Sequence, residues 1–282
     1  MTSTRDRPAG TLHIVGTPIG NLKDLSLRAR EVLGAVDLIA AEDTRRTRGL
    51  LSSIGLKATL IAYHDHNEAE RAPHLLDRLL DGESVALVSD AGTPLISDPG
   101  WRLVRTALAR GIAVVSVPGP SAVSAALSVC GLPTDRFVFE GFLPRRKRQR
   151  AERLGALLSE GRTMVFFESV HRLTDTLRML SEQFGGQREA AIARELTKAH
   201  ECVYTGSLAE LNSRLGVEIP LLGEFVVVVA GAHVIHSPEE AEALRVFSLL
   251  CAVLPPDKAV SLSARITGLP RNAVYRLTRK KD

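Results

Sequence analysis

The chain has 282 residues, 45% of them hydrophobic and 24% charged, the balance of a globular protein long enough for two domains. Its formal net charge of +4 is too mild to name a partner, and its three cysteines, Cys130, Cys202 and Cys251, lie far apart and outside any CxxC spacing. That excludes a disulfide framework and a thiolate metal cluster, and fits a reducing, cytoplasmic setting. The polar first ten residues and the short apolar runs leave neither a signal peptide nor a membrane span expected.

Residues 12–15 form the first predicted strand, which ends in Gly16-Thr17-Pro18-Ile19-Gly20-Asn21. Ser26 has the character of an N-cap for a short helix carrying Leu27 and Leu33. A second strand over residues 36–41 ends in Glu42-Asp43-Thr44, ahead of a basic helical stretch with Arg45, Arg46 and Arg48. The third, residues 59–62, runs into Tyr63-His64-Asp65-His66-Asn67-Glu68. A helix with Leu75, Leu76, Leu79 and Leu80 on one face leads to a fourth strand at 85–88. A helix over 101–109 and a strand over 112–117 follow. Five strands alternating with helical patterns predict an α/β fold with a largely parallel sheet.

Pro118-Gly119-Pro120 stops the fifth strand sharply, and Ser121 opens a small-residue helix over 122–129. Beyond it the pattern changes. Strands are predicted at 137–139, 164–167, 190–193, 202–204 and 225–229, with helices at 170–180 and 208–215. Some of these strands follow one another without room for a full helix, so this sheet should be mixed. Ser237-Pro238 marks a second boundary, and the remainder reads as helical. The expected domains are residues 1–118, 119–236 and 237–282.

The break after the fourth strand is the most informative. Ser89-Asp90-Ala91-Gly92-Thr93-Pro94 and Asp98-Pro99-Gly100 make a loop longer than the roughly 2–6 residues usual between strand and helix. It carries two carboxylates at the sheet edge where α/β proteins bind ligands. The chain has neither GxGxxG after its first strand nor GxxxxGK[ST]. A phosphate cradle is therefore not expected, and a cofactor without phosphates suits the loop better. S-adenosyl-L-methionine, with a cationic sulfonium and a flat adenosine, is one.

Three runs carry a resemblance: residues 14–22, residues 89–100, and Val117-Pro118-Gly119-Pro120-Ser121-Ala122. Together they resemble the tetrapyrrole-methylase superfamily. Phe166-Phe167-Glu168-Ser169-Val170-His171-Arg172 and Ala193-Arg194-Glu195-Leu196-Thr197-Lys198 are similar to its branch acting on small-subunit ribosomal RNA. The resemblance runs in order through nearly the whole chain. It implies two α/β domains of a class III methyltransferase with S-adenosyl-L-methionine in the cleft between them, plus a small C-terminal helical domain. It also implies 2′-O-methylation of a cytidine in the decoding region of 16S rRNA, and a homodimer. Carried over by position, Thr17, Pro18, Asp90, Ala91, Gly92, Thr93 and Ser97 should line the cofactor pocket, with Ser121 and Ala122 across the hinge. Phe166, Phe167, Arg194, Glu195 and Leu196 should reach it from the second domain. Relatives that act on tetrapyrroles carry Gly-Asp-Pro where this chain has Gly92-Thr93-Pro94.

Methyl transfer to a ribose hydroxyl needs a group to take its proton. The candidates at strand ends are Glu42, Asp43, His64, Asp65, Asp90 and Asp98, with Asp65 and His64 preferred because they follow a strand directly. The same run also reads as a solvated loop or helix cap. His64 and His66 alternate sides in an extended chain, which suits joint zinc ligation poorly. No metal is assigned, although Asp43 or Asp98 could hold magnesium. His171 and His200 read as structural.

Arg145, Arg146, Lys147, Arg148 and Arg150 form the densest cationic run. It reads as solvated surface or as a phosphate track at the cleft mouth, which Arg45, Arg46 and Arg48 would extend. Ala264, Gly268 and Val274 have helix-turn-helix spacing, with Pro270 at the start of the second helix. Arg271, Arg276, Arg279, Lys280 and Lys281 surround that helix, which would grip structured RNA by shape and phosphates. Two other readings stay open: a methyltransferase acting on a tetrapyrrole, and a non-catalytic nucleic-acid-binding regulator with a small-molecule-sensing core. The two basic segments favour RNA.

Overall fold

The structure, a computed structural model, describes residues 8–232 and 238–279. These fall into two compact units, one ending at Ala232 and the other comprising the helices that follow. The first unit contains both sheets.

Strands β1 (Thr11–Val15), β2 (Leu38–Ala41), β3 (Leu60–Ala62), β4 (Val85–Val88) and β5 (Ala113–Val117) form the first sheet, in the order β3-β2-β4-β1-β5. Every pairing is parallel. Helices cover both faces, so the central strands are apolar throughout rather than alternating. Leu38 and Ala40 of β2 join a core with α3 (Glu68–Leu80) and α4 (Trp101–Ala109), while Ile39 and Ala41 join one with α1 (Leu27–Ala35) and α2 (Thr44–Ser53). Ser26 caps α1 as expected, its side chain accepting from the Ala29 amide. Strands β2, β3 and β5 start one or two residues later than predicted, β4 starts where predicted, and β1 starts one residue earlier.

Strands β6 (Phe137–Phe142), β7 (Thr163–Ser169), β8 (Glu189–Arg194), β9 (Cys202–Ser207) and β10 (Glu224–Val229) form the second sheet, in the order β6-β7-β10-β8-β9. The β6–β7 pair is parallel and the others antiparallel, the mixed sheet expected. On one face lie α6 (Lys147–Ala156), α7 (Val170–Phe184) and α8 (Leu208–Arg214), packed around Leu154, Met164, Phe166, Leu177 and Val227. On the other lies α5 (Ala122–Val129), whose Val123, Ala126 and Leu127 pack with Val165, Ala193 and Val226. Ile19, from the loop after β1, joins that second core. The expected boundary near residue 118 thus separates two sheets within one compact unit.

The second unit consists of α9 (Pro238–Cys251), α10 (Pro256–Thr267) and α11 (Arg271–Arg279). Ala243, Val260, Ala264 and Val274 make its core. Gly268 ends α10 with φ 76°, a left-handed conformation that favours glycine, and its amide donates to the Ala264 carbonyl. Pro270 precedes α11 rather than opening it. Lys280 and Lys281 lie outside the described residues.

Candidate active site

The carboxyl ends of the first sheet's strands meet at three loops. After β1, a Cβ on Gly16 would lie 2.7 Å from the Gly119 nitrogen, and one on Gly119 would lie 2.8 Å from the Gly16 oxygen. Here backbone touches backbone, which only glycine permits. One residue on, the Thr17 amide donates to the Gly92 carbonyl at 2.9 Å and the Gly92 amide returns the bond at 3.1 Å. The Thr17 hydroxyl donates to the Ser89 carbonyl at 3.2 Å. Three motifs distant in sequence thus form one floor.

Against that floor lies a cavity of about 390 Å³, its opposite wall built by the second sheet. Of the residues that the resemblance assigns to the cofactor, Ala91, Gly92, Thr93, Ser97, Ser121, Ala122, Phe167 and Leu196 line this cavity. Asp98, Ile19, Ile96, Phe142, Glu168, Gly223 and Phe225 also line it. Leu95, Ser97, Glu195 and Thr197 are the non-glycine residues with positive φ, between 51° and 73°, among the described residues. All four sit in the two loops flanking the cavity, the kind of backbone strain that gathers at functional sites.

Six residues expected in the pocket do not line it. Phe166 is fully buried on the opposite face of β7, because neighbouring strand residues point to opposite sides. Arg194 turns away, its Nε donating to the Leu222 carbonyl at 2.7 Å and its Nη1 to that of His200 at 3.2 Å. Glu195 accepts from the Glu224 amide and from Lys198 Nζ, so both brace the loops bearing Leu196 and Gly223. Thr17 ties two loops together, Pro18 yields its place to Ile19, and Asp90 braces the acidic edge.

That edge is a cluster of carboxylates. The Asp90 amide donates to Glu42 Oε2 at 3.1 Å, and Asp90 Oδ1 accepts from the Asp43 amide at 3.0 Å. Arg46 approaches Asp90 Oδ2 at 3.4 Å. Burial first, then repulsion from Glu42, pushes the Asp98 carboxyl up to about 7, against a hydrogen bond from Ser89. The preferred acid–base pair falls elsewhere. His64 and Asp65 do not line the cavity. The His64 amide donates to Asn67 Oδ1, in a turn that leads into α3, and Asp65 is exposed. Asp65 acts at a distance, its charge also raising Asp98.

Arg145, Arg146, Lys147 and Arg148 are exposed, but Arg150 is not available for RNA. It is 7% exposed, with Nη1 donating to Thr176 Oγ1 at 3.1 Å. Helix α6 begins at Lys147, so Arg150 shares the inward face with Leu154. Arg45 is held by Asp43 at 3.0 Å, which blunts the expected extension of the track. In the second unit Arg271 and Arg276 are exposed on α11, and the Arg271 Nε donates to Ser261 Oγ.

One parallel and one mixed sheet thus flank a cavity with strained, partly acidic loops at the strand ends. Residues 11–212 match the tetrapyrrole (corrin/porphyrin) methylases, and the chain belongs to that family. Residues 237–279 match the RsmI C-terminal HTH domain. Among its relatives, the chain is 53% identical to the ribosomal RNA small subunit methyltransferase I of Xylella fastidiosa over 94% of its own length and 98% of the other's. It is 51% identical to the protein of that name from Pseudomonas aeruginosa, covering 95% and 96%. The uroporphyrin-III C-methyl transferase of Thermus thermophilus, solved with S-adenyl homocysteine, shares the fold at a TM-score of 0.53 and 19% identity, over 78% of this chain and 97% of that one.

Proposed function

We propose that this chain is an S-adenosylmethionine-dependent methyltransferase of small-subunit ribosomal RNA, and that its acceptor is the ribose 2′-oxygen of a cytidine in the decoding region. One observation carries the reading. The cavity pairs apolar walls with a carboxylate at its edge, in a chain alike over nearly its whole length to relatives named as methyltransferases of that RNA.

The residues fit the cofactor. Ile19, Ala122, Phe167, Leu196 and Phe225 offer apolar surface to an adenosine, and Thr93, Ser97 and Ser121 are polar residues of the same lining. When bound, S-adenosylmethionine would supply a methyl group from a cationic sulfonium to the 2′-oxygen, leaving a neutral thioether, and the hydroxyl proton would pass to a carboxylate of the acidic edge or to water. Asp98, backed by Glu42, Asp90 and Asp65, gives the cavity the sign of potential that a cation requires. The cavity walls would set the acceptor oxygen against the methyl group, and such positioning can supply several kcal/mol of the barrier. Arg145, Arg146, Lys147 and Arg148 would meet RNA phosphates, each adding about one unit to the salt dependence of binding. Arg271 and Arg276 would add contacts from the helical unit. A cytoplasmic homodimer belongs to the same reading and rests on the family resemblance.

Mass spectrometry of 16S rRNA nucleosides from cells lacking this protein tests the proposal. Loss of a single ribose methyl on a cytidine, restored by the purified protein acting on small subunits, is the expected result. Unchanged rRNA overturns it.

A further inference from the structure

Strand β6 is irregular where it reaches the cavity. Phe139 pairs with Val165, but Gly141 pairs with Phe166 and Phe142 with Phe167, so an extra residue is inserted between Phe139 and Gly141. Gly141 takes φ 62° there. In a regular strand Phe139 and Phe142 would face opposite sides. The bulge turns both toward Phe167, whose ring they meet edge-on with centroids 4.9 and 5.6 Å away. Phe139 packs into the core. Phe142 instead lines the cavity with 56% of its surface open. A bulge beside a site commonly re-aims a side chain, and here it leaves an aromatic ring more than half open.

The segment after Phe142 is held rigidly. Arg172 Nη2 donates to the carbonyls of Leu143 at 2.7 Å and Pro144 at 3.4 Å, and Arg150 Nη2 to that of Arg145 at 3.4 Å. Arg172 pairs with the buried Glu168 at 3.4 Å. Glu168 accepts from Thr176 Oγ1 at 2.6 Å, and Thr176 accepts from Arg150. Three consecutive carbonyls are thus strapped to two guanidiniums rooted on one carboxylate. The next four cationic side chains, Arg145 to Arg148, point outward. An exposed aromatic ring, next to a strapped segment and a row of cations, matches a base with its phosphates, since single-stranded RNA is bound by stacking on aromatics and by charge along the backbone.

We propose that Phe142 is the stacking platform for the base of the acceptor nucleotide, holding its ribose at the cavity while residues 145–148 take the neighbouring phosphates. The inference rests on the RNA-methyltransferase reading and adds the residue that presents the substrate. Wild type, Phe142→Ala and Phe142→Trp are compared for methyl incorporation into small subunits from cells lacking the protein, and for S-adenosylhomocysteine affinity by calorimetry. Phe142→Ala should raise KM for subunits and lower kcat/KM by about 10-fold or more, well beyond any loss of cofactor affinity, and Phe142→Trp should recover most of the loss. Wild-type kcat/KM in Phe142→Ala overturns the inference. So does a matching loss of cofactor affinity, which would make Phe142 a wall of the cofactor site, or a tryptophan variant no better than alanine. Wild-type protein that leaves the subunits unmethylated removes the RNA reading and this inference together, a result the variants alone cannot produce.

Discussion

Asp98 is a carboxylate set among carboxylates, and its raised pKa has two consequences of opposite sense. In the empty protein the folded state holds its proton more tightly than the unfolded chain. Its contribution to stability is therefore fullest below the ordinary carboxylate range and is lost as pH rises toward about 7. A cationic cofactor reverses the preference, because it is attracted only to the ionised form. S-adenosylmethionine affinity should accordingly rise with pH through about 7, while the neutral S-adenosylhomocysteine should vary less. Asp98→Asn should flatten the pH dependence and weaken S-adenosylmethionine about tenfold, roughly 1.4 kcal/mol, with a smaller loss for the neutral product. Calorimetry between pH 6 and 8 checks this, and equal losses for both ligands would refute it. Arg150 and Arg145 offer a contrast. Arg150→Ala should destabilise the fold by about 2–4 kcal/mol, since it strips a buried network of its partner. Arg145→Ala should leave thermal unfolding almost unchanged and lower the salt slope of RNA binding by about one. The inward place of Arg150 was legible in the helical spacing to Leu154, and that of Phe166 in strand alternation. That Asp98 lines the cavity while His64 and Asp65 do not was not legible, because it depends on how the loop after β4 folds back over the sheet edge.

At the level of elements, the central strands β2 and β4 were plain in the sequence because burial on both faces forces continuous apolar runs such as Val85 to Val88. The mixed order of the second sheet followed from strands too close together for a crossover helix. The bulge in β6 left no comparable mark: Phe137, Phe139 and Phe142 read equally well as a short strand that stops early. The motif glycines explain themselves only in three dimensions, where Gly16 and Gly119 are pressed together. Gly119→Ala should cost about 1–3 kcal/mol, as overpacking does. It should also weaken cofactor binding, because Ser121 and Ala122 follow directly on the displaced turn. Thermal unfolding and calorimetry on the same sample measure both, and a fully stable variant would show that the contact yields.

For the molecule as a whole, each compact unit has a core of its own, the helical one around Ala243, Val260, Ala264 and Val274. Removing residues 238–282 should leave a cooperatively folded protein with cofactor affinity within about threefold of the full chain and weaker engagement of small subunits. Unaltered turnover on subunits would deny the helical unit any part in the substrate. The abutting glycines also limit how the larger unit can move. Gly119 stands between β5 and the helix that packs on the second sheet, and its main chain is already in contact with that of Gly16. The sheets cannot slide toward each other at this point. Any closure over a ligand would have to leave this contact in place, with the base of the cavity as its fixed end.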